Sequence, residues 1–142
     1  MMLKTIRAPL IAALLLTACQ AADTPEPVEA GSRIALDETI TLTGTEPFWG
    51  GEVTARTFTY FTPEDIEGTD YAATRMEGLG GLSWSGEMPG GPFTLTVSEM
   101  ECSDGMSDRT YPFTATLWLS AQDIRNGCAY SASRPFTGDR AP

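Results

Sequence analysis

Apolar side chains recur at every second position over several short stretches, and this alternation restricts the chain to β structure more than any other feature. Phe93, Leu95 and Val97 point one way, and Thr94, Thr96 and Ser98 the other. Phe113, Ala115, Leu117 and Leu119 alternate in the same manner with Thr114, Thr116 and Trp118. Successive side chains of a strand face opposite sides of its sheet, so this pattern suits strands with one buried and one solvated face. No window holds a helical period over several turns. Ile34, Leu36, Ile40 and Leu42 share even positions across a break at Asp37-Glu38, and Trp49, Gly51 and Val53 alternate with Gly50, Glu52 and Thr54. Beyond Thr54 the apolar phase moves to Phe58 and Tyr60. A one-residue slip would turn the wrong face inward, so a hairpin is predicted to close near Ala55-Arg56.

Punctuation marks the remaining elements. Pro63-Glu64-Asp65 is predicted to end the strand through Phe58, and Gly68 to open the next turn. Residues 71–76 and 82–86 read as short strands around Gly78, Gly80 and Gly81, and Pro89-Gly90-Gly91-Pro92 is a turn. A last turn over 120–125 leads to a closing strand over 126–132. About eight short antiparallel strands result. Such chains protect their edges by closing or by sandwiching. The expectation is an all-β fold, a small antiparallel barrel or strongly coiled sheet, with a two-sheet sandwich as the alternative.

The amino-terminal stretch carries an address rather than structure. Lys4 and Arg7 precede an apolar run over 8–16, interrupted only by Pro9, which is about half the ~20 residues that a membrane-spanning helix needs. Leu16-Thr17-Ala18 then sets small residues directly before Cys19. This matches the lipobox of bacterial lipoproteins and implies that residues 1–18 are a signal peptide and that Cys19 is acylated. At ~0.8 kcal/mol per buried methylene, two or three acyl chains hold a protein on its membrane permanently. Gln20, rather than aspartate, favours the outer membrane, facing the periplasm. Residues 20–32 are rich in Ala, Pro, Glu and Thr, with Val28 the one aliphatic side chain, and read with Cys19 as a lipidated, solvated tether. The β domain is expected over 33–134, and a loose tail over 135–142.

Charge and cysteine usage then bound the function. The chain has 9 basic and 19 acidic residues; removing Lys4 and Arg7 leaves 7 basic and a formal net charge of −12. That balance opposes nucleic acid, whose phosphates need Lys and Arg, and opposes docking on anionic lipid. It suits a cationic protein partner, with simple solubility as the alternative. The absence of histidine excludes a histidine-based hydrolase. With Cys19 lipidated, Cys102 and Cys128 are expected to pair in an oxidising compartment, a bridge of about 3–4 kcal/mol. Paired thiols supply no nucleophile, and two cysteines without histidine do not close a zinc site. Acidic residues abound, yet no two are marked as a glycosidase pair, and no glycine-rich phosphate loop precedes a helix. Neither an enzyme nor a cofactor is expected.

Two stretches stand out as candidate sites. Residues 99–112 join two strong strands through a polar segment longer than a hairpin needs, pinned at one end by Cys102 and at the other by Tyr111-Pro112. A loop held in this way loses little entropy on binding, which makes Asp104, Met106, Ser107, Asp108 and Tyr111 a candidate partner-binding set. Alternatively, Asp104 and Asp108 accept backbone N–H groups within the loop, while Met106 and Tyr111 plug a barrel end. Calcium held through Asp104 and Asp108 is a further alternative, although the alternating acid ladder of an EF-hand loop is missing. In Gly44-Thr45-Glu46-Pro47-Phe48-Trp49, the adjacent aromatics Phe48 and Trp49 are either a core plug or lid, or a stacking surface for a ligand.

Together, Gly44-x-Glu46-Pro47-Phe48-Trp49, Cys102-x-Asp104-Gly105-Met106-Ser107-Asp108-x-x-Tyr111-Pro112 and Gly127-Cys128-Ala129 resemble an uncharacterised family of bacterial envelope lipoproteins. The resemblance implies envelope localisation and the Cys102–Cys128 pair. Ser107-Asp108-Arg109-Thr110-Tyr111 is also similar to the Ser-Gly-x-x-Tyr inhibitory loop of the membrane-bound inhibitors of c-type lysozyme, with Asp108 where those proteins have glycine. Those inhibitors are small acidic lipoproteins with disulfide-stapled antiparallel barrels. The similarity implies that Ser107 and Tyr111 enter the sugar-binding cleft of a cationic cell-wall hydrolase. The expectation is therefore a membrane-anchored, non-enzymatic binding module. The alternative is a structural or small-ligand lipoprotein, with an apolar molecule held in the barrel interior near Phe48 and Trp49.

Overall fold

Backbone pairing follows the alternation. A computed structural model describes residues 34–78 and 80–138. Its strands are β1 (Ile40–Thr45), β2 (Phe48–Val53), β3 (Thr57–Thr62), β4 (Asp65–Gly78), β5 (Gly81–Met88), β6 (Gly91–Ser98), β7 (Cys102–Ser103), β8 (Thr110–Tyr111), β9 (Phe113–Trp118) and β10 (Ile124–Ser131). Eight of them close an antiparallel barrel in the order β1-β10-β9-β6-β5-β4-β3-β2, and β7 with β8 forms a separate ribbon. The phase change after Thr54 is a hairpin: Val53 pairs with Phe58, and the Thr54 N–H donates to the Thr57 carbonyl at 2.9 Å. Odd positions of β2 and even positions of β3 thus face the same interior.

At this strand number the interior is just wide enough to be filled by side chains, and here it is filled. Trp84, Phe58, Phe93 and Phe113 are fully buried, with the Phe58 and Phe93 rings 5.3 Å apart between centroids. The Trp84 indole N–H donates to the Thr54 carbonyl at 2.8 Å, and that of Trp49 to the Asn126 carbonyl at 3.1 Å. A Cβ on Gly44 would lie 1.9 Å from the Trp49 indole nitrogen, so glycine is required for that ring to cross β1. An arginine sits at each end of the barrel. The Arg75 guanidinium lies 5.9 Å over Trp84 and donates to the Ile34 and Ala35 carbonyls, and that of Arg125 lies 5.9 Å over Tyr60.

Three expectations need correction. Leu36 does not share a strand with Ile40. Residues 34–39 turn at the Asp37-Glu38 break, Glu38 N–H donating to the Ala35 carbonyl at 3.2 Å, so Ile34 is buried while Leu36 is exposed. Gly68 does not open a turn. The chain reverses at Pro63-Glu64, and β4 runs through Gly68 in a bulge, where φ is +80° and the Gly68 N–H donates to Asp65 Oδ1 at 3.2 Å. The tail is held rather than loose as far as Gly138. Thr137 pairs with Thr110, and the Phe136 ring lies 5.4 Å from that of Tyr111 and 5.1 Å from that of Tyr130. The signal peptide, Cys19, the tether and residues 139–142 lie outside the described residues.

Candidate functional site

The 99–112 segment folds onto the outer wall of the barrel. Cys102 pairs with Tyr111 and Ser103 with Thr110, which makes a two-rung ribbon. Cys128 sits on β10 between Thr43 of β1 and Thr114 of β9, and its disulfide to Cys102, with Cα atoms 5.5 Å apart, pins the ribbon there. The Thr45 hydroxyl reaches the Asp104 carbonyl at 3.5 Å. This position overturns the reading of the loop as a plug for a barrel end: the disulfide ties it across β9, β10 and β1 instead.

Asp104 organises the loop. Its Oδ1 accepts the backbone N–H groups of Met106 at 2.9 Å and Ser107 at 2.8 Å, and its Oδ2 accepts the Ser107 hydroxyl at 2.7 Å and the Tyr111 hydroxyl at 3.3 Å. Burial pushes the carboxyl up, but these four donors outweigh it and hold its pKa at about 2. Tyr111 is 3% exposed, with its ring 6.1 Å from Tyr130 and 5.4 Å from Phe136. It is the footing of the loop, so the expectation that Tyr111 is presented to a partner fails on its burial. Ser107 is half-buried, and its oxygen also accepts the Arg109 N–H at 3.3 Å. Of the five residues singled out in the loop, Met106 (68% exposed) and Asp108 reach solvent.

Phe48 and Trp49 part company, as neighbours in a strand must. Trp49 is buried in the core, while Phe48 is 56% exposed on the outer wall. The Phe61 ring also lies on that wall, over Gly50 and against Gly68. A Cβ would stand 3.0 Å from the ring at Gly50 and 2.5 Å at Gly68. A cleft of about 360 Å³ lies among Phe48, Phe61, Pro63 and Ile66. A second, of about 420 Å³, runs under the stapled loop among Thr45, Asp104, Thr114 and Asn126. Thr43 and Gly44 line both. Sequence reasoning missed Phe61 and Ile66; the available signal was Phe61 following the inward Tyr60, which leaves an aromatic on the solvent face.

At the barrel mouth, Arg125 donates from Nε and Nη2 to both oxygens of Asp123, at 3.1 and 3.2 Å, and from Nη1 to the Tyr60 hydroxyl. Burial raises the Tyr60 pKa, and the hydrogen bond to Asp123 raises that of Arg125. Tyr60 is neutral and Arg125 charged at any physiological pH. Outside this trio lies a cleft of about 460 Å³, lined by Pro47, Phe48, Tyr71, Met88 and Leu119 among others. The interior beneath it, where an apolar ligand was the alternative expectation, is occupied by the core side chains.

Four of the five described arginines are engaged by acids or aromatic rings, and the fifth, Arg56, is exposed in the β2–β3 turn. Arg75 pairs with Glu77 at 3.5 Å, Arg125 with Asp123 at 3.1 Å and Arg134 with Glu99 at 2.9 Å. Arg109 lies 4.6 Å over Phe136, and Arg134 lies 4.4 Å over Phe113. By contrast Glu46, Glu52, Glu64, Asp65, Glu67, Asp70, Glu101 and Asp108 are exposed. Among the described residues, no group of three or more carboxylates or cysteines could hold a metal ion. Comparison of the chain with protein-family models, with curated proteins and with solved structures finds no match, so the functional reading rests on this geometry.

Proposed function

We propose that this chain is a lipoprotein of the bacterial envelope, anchored through Cys19, whose barrel is a non-enzymatic binding module for a cationic protein. The supporting observation is the separation of charge: Arg75, Arg109, Arg125 and Arg134 stack on aromatic rings or pair with acids, Arg56 is the one exposed arginine among the described residues, and carboxylates occupy the surface. An acidic surface steers basic partners into contact and speeds their association. The eight barrel strands close on themselves, so they have no free edge to which a partner strand could add. Recognition then falls to side chains. The stapled loop is ordered in advance by the disulfide and by Asp104, which limits the entropy lost on binding, and its tip offers a methionine, an adaptable contact residue, beside Asp108.

The sharpest form of the proposal is inhibition of a cationic cell-wall hydrolase such as c-type lysozyme, with Met106 and Asp108 as the contacts. The test titrates the full-length chain, in nanodiscs of zwitterionic lipid, into a lysozyme activity assay. Inhibition that weakens in Met106→Ser/Asp108→Ser but survives in Tyr111→Phe supports this form. No inhibition by the oxidised, folded chain removes it. A second reading rests on the mouth cleft of about 460 Å³, whose volume suits a small apolar ligand. Binding of a fluorescent apolar probe that is lost in Met88→Glu would favour that reading, and no saturable binding would remove it.

A further inference from the structure

The two clefts on the outer wall adjoin at Thr43 and Gly44 of β1, and side by side they make a two-part trough between the stapled loop and the β3–β4 hairpin. We infer that this trough docks an extended cationic segment of the partner, which sets one aliphatic side chain among Phe48, Phe61 and Ile66. The inference rests on the proposed binding of a cationic protein and names where and how such a partner is held.

The apolar half of the trough is a built feature. Gly50 and Gly68 leave room for the Phe61 ring, and a Cβ at either would press on it, at 3.0 and 2.5 Å. The Gly68 bulge carries Ile66 outward on the hairpin to 82% exposure, across the groove from Phe48. Phe48, Phe61 and Ile66 gathered around one groove offer apolar surface that a partner's aliphatic side chain can cover. The other half of the trough is lined by the hydroxyls of Thr43, Thr45, Thr114 and Thr116 and by the Asn126 amide, which can donate to and accept from a peptide backbone.

Charge selects the occupant. Glu46 lies two positions before Phe48, and Glu64, Asp65 and Glu67 surround Ile66 in sequence, all exposed. Between residues 40 and 70 the one basic side chain is Arg56, in the turn at the far end of the β2–β3 hairpin. Arg125, at the mouth, is held in its bidentate pair with Asp123. An anionic lipid surface or an acidic peptide would meet repulsion from these segments, whereas a lysine- and arginine-rich segment with an aliphatic anchor is matched to the exposed carboxylates carried next to Phe48 and Ile66 in the chain.

The test is calorimetric titration of the full-length chain, in nanodiscs of zwitterionic lipid, with two probes: c-type lysozyme and the peptide Lys-Lys-Leu-Lys-Lys. Ile66→Ser and Phe48→Ser, both substitutions of exposed residues, should each weaken peptide binding roughly tenfold, as expected for loss of a central apolar contact. Glu64→Gln/Glu67→Gln should weaken it roughly threefold at low salt. Leu36→Ser, exposed but away from the trough, should have no effect, and amide shifts induced by the peptide should fall on residues 43–50 and 61–67. Equal binding of an all-lysine peptide, or lysozyme and peptide binding that ignores Ile66 and Phe48, overturns the trough and leaves the cationic-partner reading standing. If neither cationic probe binds, that reading falls as well.

Discussion

Replacing Asp104 with alanine should destabilise the protein by an amount that depends on pH in a definite direction. The carboxylate accepts two backbone N–H groups and two hydroxyls, and its pKa falls from 3.8 to about 2. At 1.36 kcal/mol per pH unit this corresponds to a ceiling of ~2.4 kcal/mol. The loop is partly open to solvent, and screening reduces the figure to about 1 kcal/mol. A carboxyl with a depressed folded pKa stabilises the fold above its unfolded pKa and loses that contribution as pH falls towards the folded value. The window is therefore about pH 4 to pH 2, with about a third of the contribution left at pH 2.5. In urea unfolding, with a slope of about 2 kcal/mol/M, Asp104→Ala should lower the midpoint by about 0.5 M near neutral pH and by much less near pH 2.5. A difference between wild type and variant that stayed constant or widened on acidification would refute the role given to the Asp104 carboxylate.

Other perturbations follow from the same geometry. Gly44→Ala places a Cβ 1.9 Å from the Trp49 indole nitrogen and should cost about 3 kcal/mol with a red-shifted tryptophan emission, whereas Gly78→Ala, which meets nothing within 4 Å, should change stability by less than about 0.5 kcal/mol. Cys102→Ala/Cys128→Ala removes a bridge spanning 26 residues and should cost about 3–4 kcal/mol by denaturant titration. Tyr111→Phe should cost about 1 kcal/mol through loss of its hydrogen bond to Asp104, measured by thermal unfolding.

The strand faces were legible because burial follows period-2 alternation directly. Phe93, Leu95 and Val97, and Phe113, Ala115 and Leu117, all point into the core. The hairpin at Ala55-Arg56 followed from the phase shift alone. What alternation does not report is backbone conformation that keeps pairing while breaking register, so the Gly68 bulge read as a turn. The disulfide was legible from cysteine counting, but not the wall to which it ties the loop. That depends on Cys128 lying beside Thr43 and Thr114, a consequence of barrel closure between β1 and β10. Tyr111 illustrates the limit for the site. A tyrosine beside a polar loop reads equally as a contact or a footing, and its ring packs against Phe136, which lies in the short terminal segment expected to be loose.

Capture of a cationic protein by an acidic outer wall, on which Arg56 is the one exposed arginine among the described residues, is the reading on which the function rests. The most direct test is the dissociation constant of the full-length chain, in nanodiscs of zwitterionic lipid, for c-type lysozyme across a salt series from about 20 to 300 mM. At these concentrations the Debye length shrinks from well above ~10 Å to below it. Saturable binding that weakens steadily with salt, through slower association rather than faster release, is the expected result. Binding that is absent at the lowest salt, or insensitive to salt, would contradict the claim.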